Sequence, residues 1–312
     1  MRAFLDILLP TDGHLSKLQP CLESIAMQTL LPDRVIVLIH KHMPKEEMEV
    51  LYYLLRKQLP EHMLERLVFV TDTTSDYEAG HWRGFDRNYL VSCATAEFTF
   101  MIDHDNVFGP TLFADMKHWY DRISGELGTD CVLSPTIMRR KTTKVQSQGI
   151  TSFSYLFPRY VYGRMWGEDW QHVMMVWANS LYGPTALFKQ FPFDERFKRC
   201  YEDIDLTYRL WLADIPVIVL NKVEINHMET TKTPLQDRFL WDEASAYERS
   251  LNRILFVKKH ATRYQKIAYF GCGLWVQTVG FLLFVLWWGG KKRIPLRRAV
   301  IQGTKDGLSA QA

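Results

Sequence analysis

Cysteine is scarce and unpatterned in this sequence. The five residues Cys21, Cys93, Cys131, Cys200 and Cys272 are scattered, odd in number and form no Cys-x-x-Cys pair. That excludes a disulfide framework and a structural zinc site, and it suits a reducing compartment. An excess of one charge is missing too. Thirty-eight Lys and Arg stand against 35 Asp and Glu, a net charge of +3, which leaves no concentrated basic face for nucleic acid. There is no internal repeat and no low-complexity segment. The residues before Pro10 are too few for a secretory signal and read as a first strand, so the expected location is cytoplasmic.

What is present is a chain able to bury a full core: 312 residues, 47% hydrophobic and 23% charged. One large α/β domain with an appendage fits that length. Phe4–Leu9 and Arg34–Ile39 are short apolar runs of the kind that form buried parallel strands. Between them Leu15, Leu18, Leu22, Ile25 and Ala26 recur at helical spacing, which makes a βαβ unit. Further strands are predicted at Leu67–Val70, Phe98–Ile102, Cys131–Leu133 and Val217–Leu220, and helices over Glu46–Leu59 and Thr111–Arg122. The alternation predicts an open, mostly parallel sheet covered by helices on both faces. Ligands then gather beyond the carboxyl ends of the strands.

The segment Ile267–Trp288 holds no Asp, Glu, Lys or Arg, and as a helix it is about as long as a bilayer core, ~30 Å. Trp287 and Trp288 close it like an interfacial belt, and Lys291, Lys292 and Arg293 follow. Lys258, Lys259, Arg263 and Lys266 precede it, so both flanks are positive. The expectation is membrane association, either as a span or as a helix in the membrane plane with both ends cytoplasmic. A buried helix of a soluble core is the bland alternative.

Three constellations carry chemistry. The strand Phe98–Ile102 runs straight into Asp103-His104-Asp105, which sets two carboxylates at a strand's carboxyl end. Such a pair repels itself unless a cation lies beside it, and Mg²⁺ or Mn²⁺ there would hold a diphosphate. The second is Phe193-Asp194-Glu195 followed by Glu202-Asp203 in the first turn of a helix. The helix dipole favours acids at that position even without a function, and a general base for an attacking hydroxyl is the sharper reading. The third is His227, shortly after the Val217–Leu220 strand. In Ser147–Ser180 the aromatic residues Trp166, Trp170 and Trp177 lie among carboxylates, which suits sugar rings and equally suits a flap packed on a membrane helix.

These residues, together with Leu8-Leu9-Pro10-Thr11, Cys21-Leu22-Glu23-Ser24, Asp86-Arg87-Asn88 and Ala94-Thr95-Ala96-Glu97, resemble family 2 glycosyltransferases in matching order over roughly residues 4–230. The resemblance implies the GT-A fold, a Rossmann-like mostly parallel sheet, joined here to a C-terminal hydrophobic membrane helix. It implies a catalytic domain over 1–230, a helical linker over 231–266, a membrane-associated helix over 267–290 and a basic tail over 291–312. It also implies an inverting, metal-dependent sugar transfer from a nucleotide-sugar donor to a glycan or lipid-linked acceptor at the cytoplasmic face of the membrane. Asp203 would be the base, with Glu202 supporting it. Asp103, Asp105 and His227 would hold Mn²⁺ or Mg²⁺. Thr11, Asp12, Arg87, Asn88, Asp103 and His104 would line the nucleotide-sugar, and Trp166, Trp170 and Trp177 the acceptor. The tail from Arg297 resembles endings of rhamnosyltransferase-like enzymes that build bacterial surface polysaccharides.

The sequence departs from the family in offering no acid after the second strand, where Val37-Leu38-Ile39-His40-Lys41 stands, so the donor nucleotide is left unassigned. A nucleotidyltransferase would need a basic, Gly-rich first loop that Pro10–His14 lacks. The other alternative is a catalytically inactive GT-A module that serves as a scaffold subunit of a membrane complex.

Overall fold

The computed structural model describes residues 3–11, 15–39, 45–71, 83–139, 144–155, 159–163, 167–177, 180–198, 200–228, 243–288 and 293–311. Asp12 and Trp166 lie outside them. The chain begins β1 (Leu5–Pro10), α1 (Leu15–Ala26), β2 (Arg34–Ile39), α2 (Lys45–Gln58), α3 (Glu61–Leu64) and β3 (Leu67–Thr71). It continues with α4 (Arg83–Cys93), β4 (Phe98–Ile102), β5 (Asn106–Phe108), α5 (Leu112–Leu127) and β6 (Val132–Arg139).

Strands β1, β2 and β4 are apolar on both faces, apart from Asp6, Arg34 and Thr99, because both of their faces are covered. In β1, Leu5, Ile7 and Leu9 enter one core while Leu8 enters the other. Val35 and Val37 alternate with Ile36 and Leu38 in the same way along β2. The first core is closed by Leu18, Leu22 and Ile25 of α1 and by Phe113, Met116 and Ile123 of α5. Leu90 and Val91 of α4 close the second.

Pairing is parallel for β1 with β2, β2 with β3 and β1 with β4. The chain therefore builds outward from β1 on one side and then returns to place β4 on the other. The crevice between the carboxyl ends of β1 and β4 is the switch point of the sheet, where open α/β sheets bind ligands. Beyond β4 the sheet turns mixed. β11 (Ser180–Pro184) lies antiparallel between β4 and β6, and β12 (Val217–His227) runs parallel to β6. β5 and β10 (Trp170–His172) pair antiparallel with β12. The strand expected at Val217–Leu220 continues past an irregularity to His227. That extension brings the histidine alongside the end of β4.

β7 (Val145–Ser147) pairs with β6, and β8 (Ile150–Ser154) forms a separate hairpin with β9 (Arg159–Tyr162). α6 (Thr185–Gln190) and α7 (Glu202–Leu212) cover the second core, the latter through Leu206 and Leu210. The C-terminal helices are α8 (Glu243–His260), α9 (Arg263–Ala268), α10 (Leu274–Trp288) and α11 (Arg293–Ser309), with one π-helical turn, Tyr269–Gly273, joining α9 to α10.

These helices form an antiparallel bundle. Ile254 and Val257 of α8 pack with Tyr269 and Leu274, whereas Ala246 packs with Leu296 and Val300 of α11 beside Phe281 and Leu282 of α10. α8 and α11 therefore run parallel, with α10 antiparallel to both. Gly303 lets α11 approach this closely, because a Cβ there would fall 2.3 Å from the carbonyl oxygen of Tyr247. The bundle is fastened to α7 by charge. Lys259 lies 2.7 Å from both Asp194 and Asp205, and His260 Nε2 lies 2.6 Å from Asp205.

Candidate active site

The end of β4 delivers Asp103, His104 and Asp105 into the switch-point crevice. His104 Nδ1 lies 3.2 Å from the carbonyl oxygen of Pro10, which ties the end of β4 to the end of β1. Thr11, buried just past β1, donates its N–H to Leu38 at 3.4 Å. Thr11 and His104, both expected at the nucleotide-sugar, thus lie at the ends of the neighbouring strands β1 and β4.

Asp105 faces the other way. Its Oδ2 stands 3.3 Å from His227 Nε2, and its carbonyl accepts the N–H of Met228 at 2.7 Å. His227 Nδ1 lies 3.2 Å from Gln146 Oε1, which fixes the ring. Burial works to raise the Asp105 carboxyl, but His227, with His104 and Lys17 behind it, draws it down to about 2. Its Oδ1 is buried and has no hydrogen-bond partner among the described residues. Buried oxygens are seldom left so, and an ionised one asks for a cation.

Asp105 and His227 therefore fit a divalent ion. No group of three metal-ligating side chains occurs among the described residues. The expected trio Asp103, Asp105 and His227 is therefore not gathered as three ligands, and Asp105 with His227 is the pair that could take Mg²⁺ or Mn²⁺ with water and phosphate oxygens. Asp103 is turned instead toward Arg87, whose Nη2 donates to its Oδ1 at 3.1 Å.

Arg87 rises from α4 and is 3% exposed. Its second arm, Nη1, donates to Glu202 Oε1 at 2.6 Å, and its guanidinium stacks 5.6 Å from the Phe193 ring centroid. One side chain thus joins the strand-end acids to the acids of α7. Arg87, expected at the nucleotide-sugar, has one arm on Glu202 and the other on Asp103. Asn88, also expected at the nucleotide-sugar, has its amide in hydrogen bonds with the Phe193 backbone and with Glu195 Oε1, each 2.8–2.9 Å. It positions the loop that leads to α7.

Glu202 and Asp203 begin α7. Tyr201, immediately before them, is held at φ 76°, left-handed for a residue with a large side chain. Such strain persists where surrounding contacts enforce it, and it gathers at functional sites. Here the tyrosine hydroxyl accepts from Tyr160 OH at 2.8 Å. Glu202 is 1% exposed and Asp203 8%. The first is locked to Arg87, and the second has its Oδ1 accepting the Ile204 N–H at 2.7 Å. Burial first, then the neighbouring Asp203, raises the Glu202 carboxyl to about 7, against Arg87 and Arg83.

The tryptophans separate. Trp170 packs on the first core and on His172 at the sheet edge. Trp177 lies 6.0 Å from Tyr160, near Tyr201. Sequence reasoning missed Tyr160 and Tyr201 as partners because nothing in the sequence marks the hairpin that brings them together.

A doubly wound sheet with acids at its switch point and a second acidic pair across the crevice is a glycosyltransferase fold of the GT-A type. The solved structures to which the chain is similar agree. Over residues 1–349 of TarS from S. aureus in complex with UDP-GlcNAc, the TM-score is 0.59 at 15% identity, covering 98% of this chain and 81% of that one. The same protein in complex with UDP gives 0.51 at 16% identity, covering 97% and 89%. No family model and no curated protein matches the sequence.

Proposed function

We propose that the chain is an inverting glycosyltransferase that moves a sugar from a nucleotide-sugar to a hydroxyl of a glycan or lipid-linked acceptor. The observation that carries this reading is the buried link through Arg87, which joins Asp103, two residues before Asp105 of the Asp105–His227 pair, to Glu202, the residue before Asp203. The fold and the UDP and UDP-GlcNAc complexes of TarS favour a nucleotide-sugar donor. The resemblance of the tail to polysaccharide-building rhamnosyltransferases favours a hexosyl or deoxyhexosyl group and a cell-envelope acceptor.

Asp203 takes the proton of the acceptor hydroxyl. The oxygen then bonds to the anomeric carbon from the face opposite the diphosphate. The bond from that carbon to the phosphate oxygen breaks, and the nucleoside diphosphate leaves with the electron pair, so configuration inverts. Asp105 and His227 would hold a divalent ion, and the chemistry it would supply is compensation of charge on the departing diphosphate. Glu202, fixed by Arg87, sets the direction from which Asp203 meets the acceptor.

The enzyme acts at the cytoplasmic face of a membrane. Arg263–Leu283 is long and apolar enough to cross a bilayer, with a mean hydropathy of 1.3 and 17% of it buried. A crossing would carry α8 and α11, with their many charges, into the bilayer beside α10. A helix lying in the interface keeps those two helices in water and offers only its exposed apolar face to lipid.

Thermal-shift binding of UDP, GDP, dTDP and CMP with and without Mn²⁺ tests the reading, followed by turnover with the matching sugar nucleotide. One nucleotide should stabilise the chain in a metal-dependent manner. Asp203→Asn should keep that binding and lose about 10²–10⁴-fold in turnover, as removal of a general base does. A chain that binds none of the four would instead be a scaffold subunit.

A further inference from the structure

Beside the acid pair of α7 lies a cavity of about 420 Å³, enclosed by the β8–β9 hairpin, α8, α10 and α11. Its walls are of three kinds. The first is cationic: Arg249 and Arg253 stand one turn apart on α8, and no Asp or Glu is among the described residues that line the space. Guanidinium groups match the oxygens of a phosphate in pairs. The second wall is aromatic, formed by Tyr160, Trp177 and Tyr201, with Arg253 5.9 Å from the Tyr160 ring centroid. Tyr201 is the residue directly before Glu202, so this wall abuts the catalytic block.

The third wall is α10, through Leu274, Gln277 and Phe281. The same helix exposes an apolar face elsewhere, where Trp275 is 61%, Val279 49% and Leu283 54% accessible. An amphiphile whose chain lies along α10 in the membrane surface would place its head group in this cavity. Free phosphate or a soluble glycan would gain nothing from that third wall.

We propose that the cavity binds the phosphate-bearing head of a membrane-held acceptor lipid, with Arg249 and Arg253 on the phosphate and the aromatic wall on the first sugar. The assignment as acceptor rests on the glycosyltransferase reading above. Phosphate held by α8 sets the attached sugar toward Tyr201, and so toward Asp203.

The test uses the full-length chain in dodecyl maltoside micelles, with farnesyl diphosphate as the amphiphile and with inorganic diphosphate and farnesol as separate arms. Binding is read by calorimetry, and UDP with Mn²⁺ is titrated into the same preparations. Farnesyl diphosphate should bind at least about tenfold more tightly than either separate arm, and Arg249→Gln with Arg253→Gln should cost at least about tenfold. Gly280→Leu is the second variant. Gly280 lines the cavity, and a Cβ there meets nothing within 4 Å, so leucine fills the space without strain on the helix. It should weaken farnesyl diphosphate and leave UDP unchanged.

Equal binding of farnesyl diphosphate by wild type and both variants overturns the proposal. So does inorganic diphosphate binding as well as the amphiphile, which would make the cavity a site for free anions. If UDP binds and farnesyl diphosphate does not, the lipid site falls and the transferase reading stands. If farnesyl diphosphate binds and no nucleotide does, the transferase reading falls and takes the acceptor role with it.

Discussion

Arg87 donates to Glu202 at 2.6 Å across 115 residues of sequence, and both side chains are almost wholly buried. The bond joins α4, the helix before β4, to the first turn of α7. Removing one partner of a buried pair leaves a charge without compensation, which costs about 3–5 kcal/mol. Arg87→Ala is therefore expected to lower stability by that amount in urea denaturation and to abolish turnover. Arg87→Lys keeps the charge and loses the fork that spans Glu202 and Asp103, so it should recover much of the stability and little of the activity. An alanine variant as stable as wild type would remove the tie from the account.

Glu202 also makes a prediction about pH. Its carboxyl is raised to about 7 by burial and by Asp203, whereas an unfolded glutamate titrates near 4.3. Between those values the folded chain holds a proton that the unfolded chain has lost. Stability attributable to Glu202 is thus fully present below about pH 4, declines as pH rises toward about 7, and is level above it. The change is on the order of a few kcal/mol. Urea midpoints of Glu202→Gln, compared with wild type across this window, should show a flatter slope. An identical slope in both proteins would mean that Glu202 is already ionised at neutral pH.

The cation site gives a third expectation. Asp105 supplies a buried oxygen with no hydrogen-bond partner among the described residues, and His227 borders the same carboxylate at 3.3 Å. Asp105→Ala should remove the Mn²⁺ dependence of nucleotide binding altogether. His227→Ala should weaken it by about 10–100-fold, in the range seen when one group of a metal site is lost. Isothermal titration with and without chelator distinguishes the two. Nucleotide binding indifferent to metal in wild type would exclude the ion from donor recognition.

Much of this was legible in the sequence, because buried parallel strands write themselves as apolar runs. Phe4–Leu9, Arg34–Ile39 and Phe98–Ile102 are such runs, and the acids after Phe98–Ile102 stand where the sheet reverses. What was not legible depends on distant pairing. β11 enters antiparallel between β4 and β6, and its short Ser-Leu-Tyr-Gly-Pro sequence has no period of its own. The left-handed Tyr201 is set by the Tyr160 hydroxyl on a separate hairpin. That Arg87 reaches both Glu202 and Asp103 was not legible either, because position in a motif does not reveal which carboxylates a long side chain will meet. The C-terminal residues looked like a basic tail; their docking on α8 depends on the close approach that Gly303 allows, which charge alone conceals.

The proposed attachment of α10 to a membrane yields the last prediction. Trp275, Val279 and Leu283 recur at helical spacing, and all three are exposed, so they form one stripe facing away from α8 and α11. Burying such a stripe in the interface contributes about 25 cal/mol per Å² of apolar surface. Val279→Glu with Leu283→Glu should therefore lower partitioning onto phosphatidylglycerol vesicles by at least about tenfold, whereas added salt should matter less than for a purely basic attachment. The substitutions face solvent in the bundle, so the fold and nucleotide binding should survive them. Alkaline carbonate decides between the two orientations. A helix lying in the interface is released by it, and a helix that crosses the bilayer remains with the lipid. Release is expected, because a crossing would take the charged α8 and α11 into the hydrocarbon beside α10.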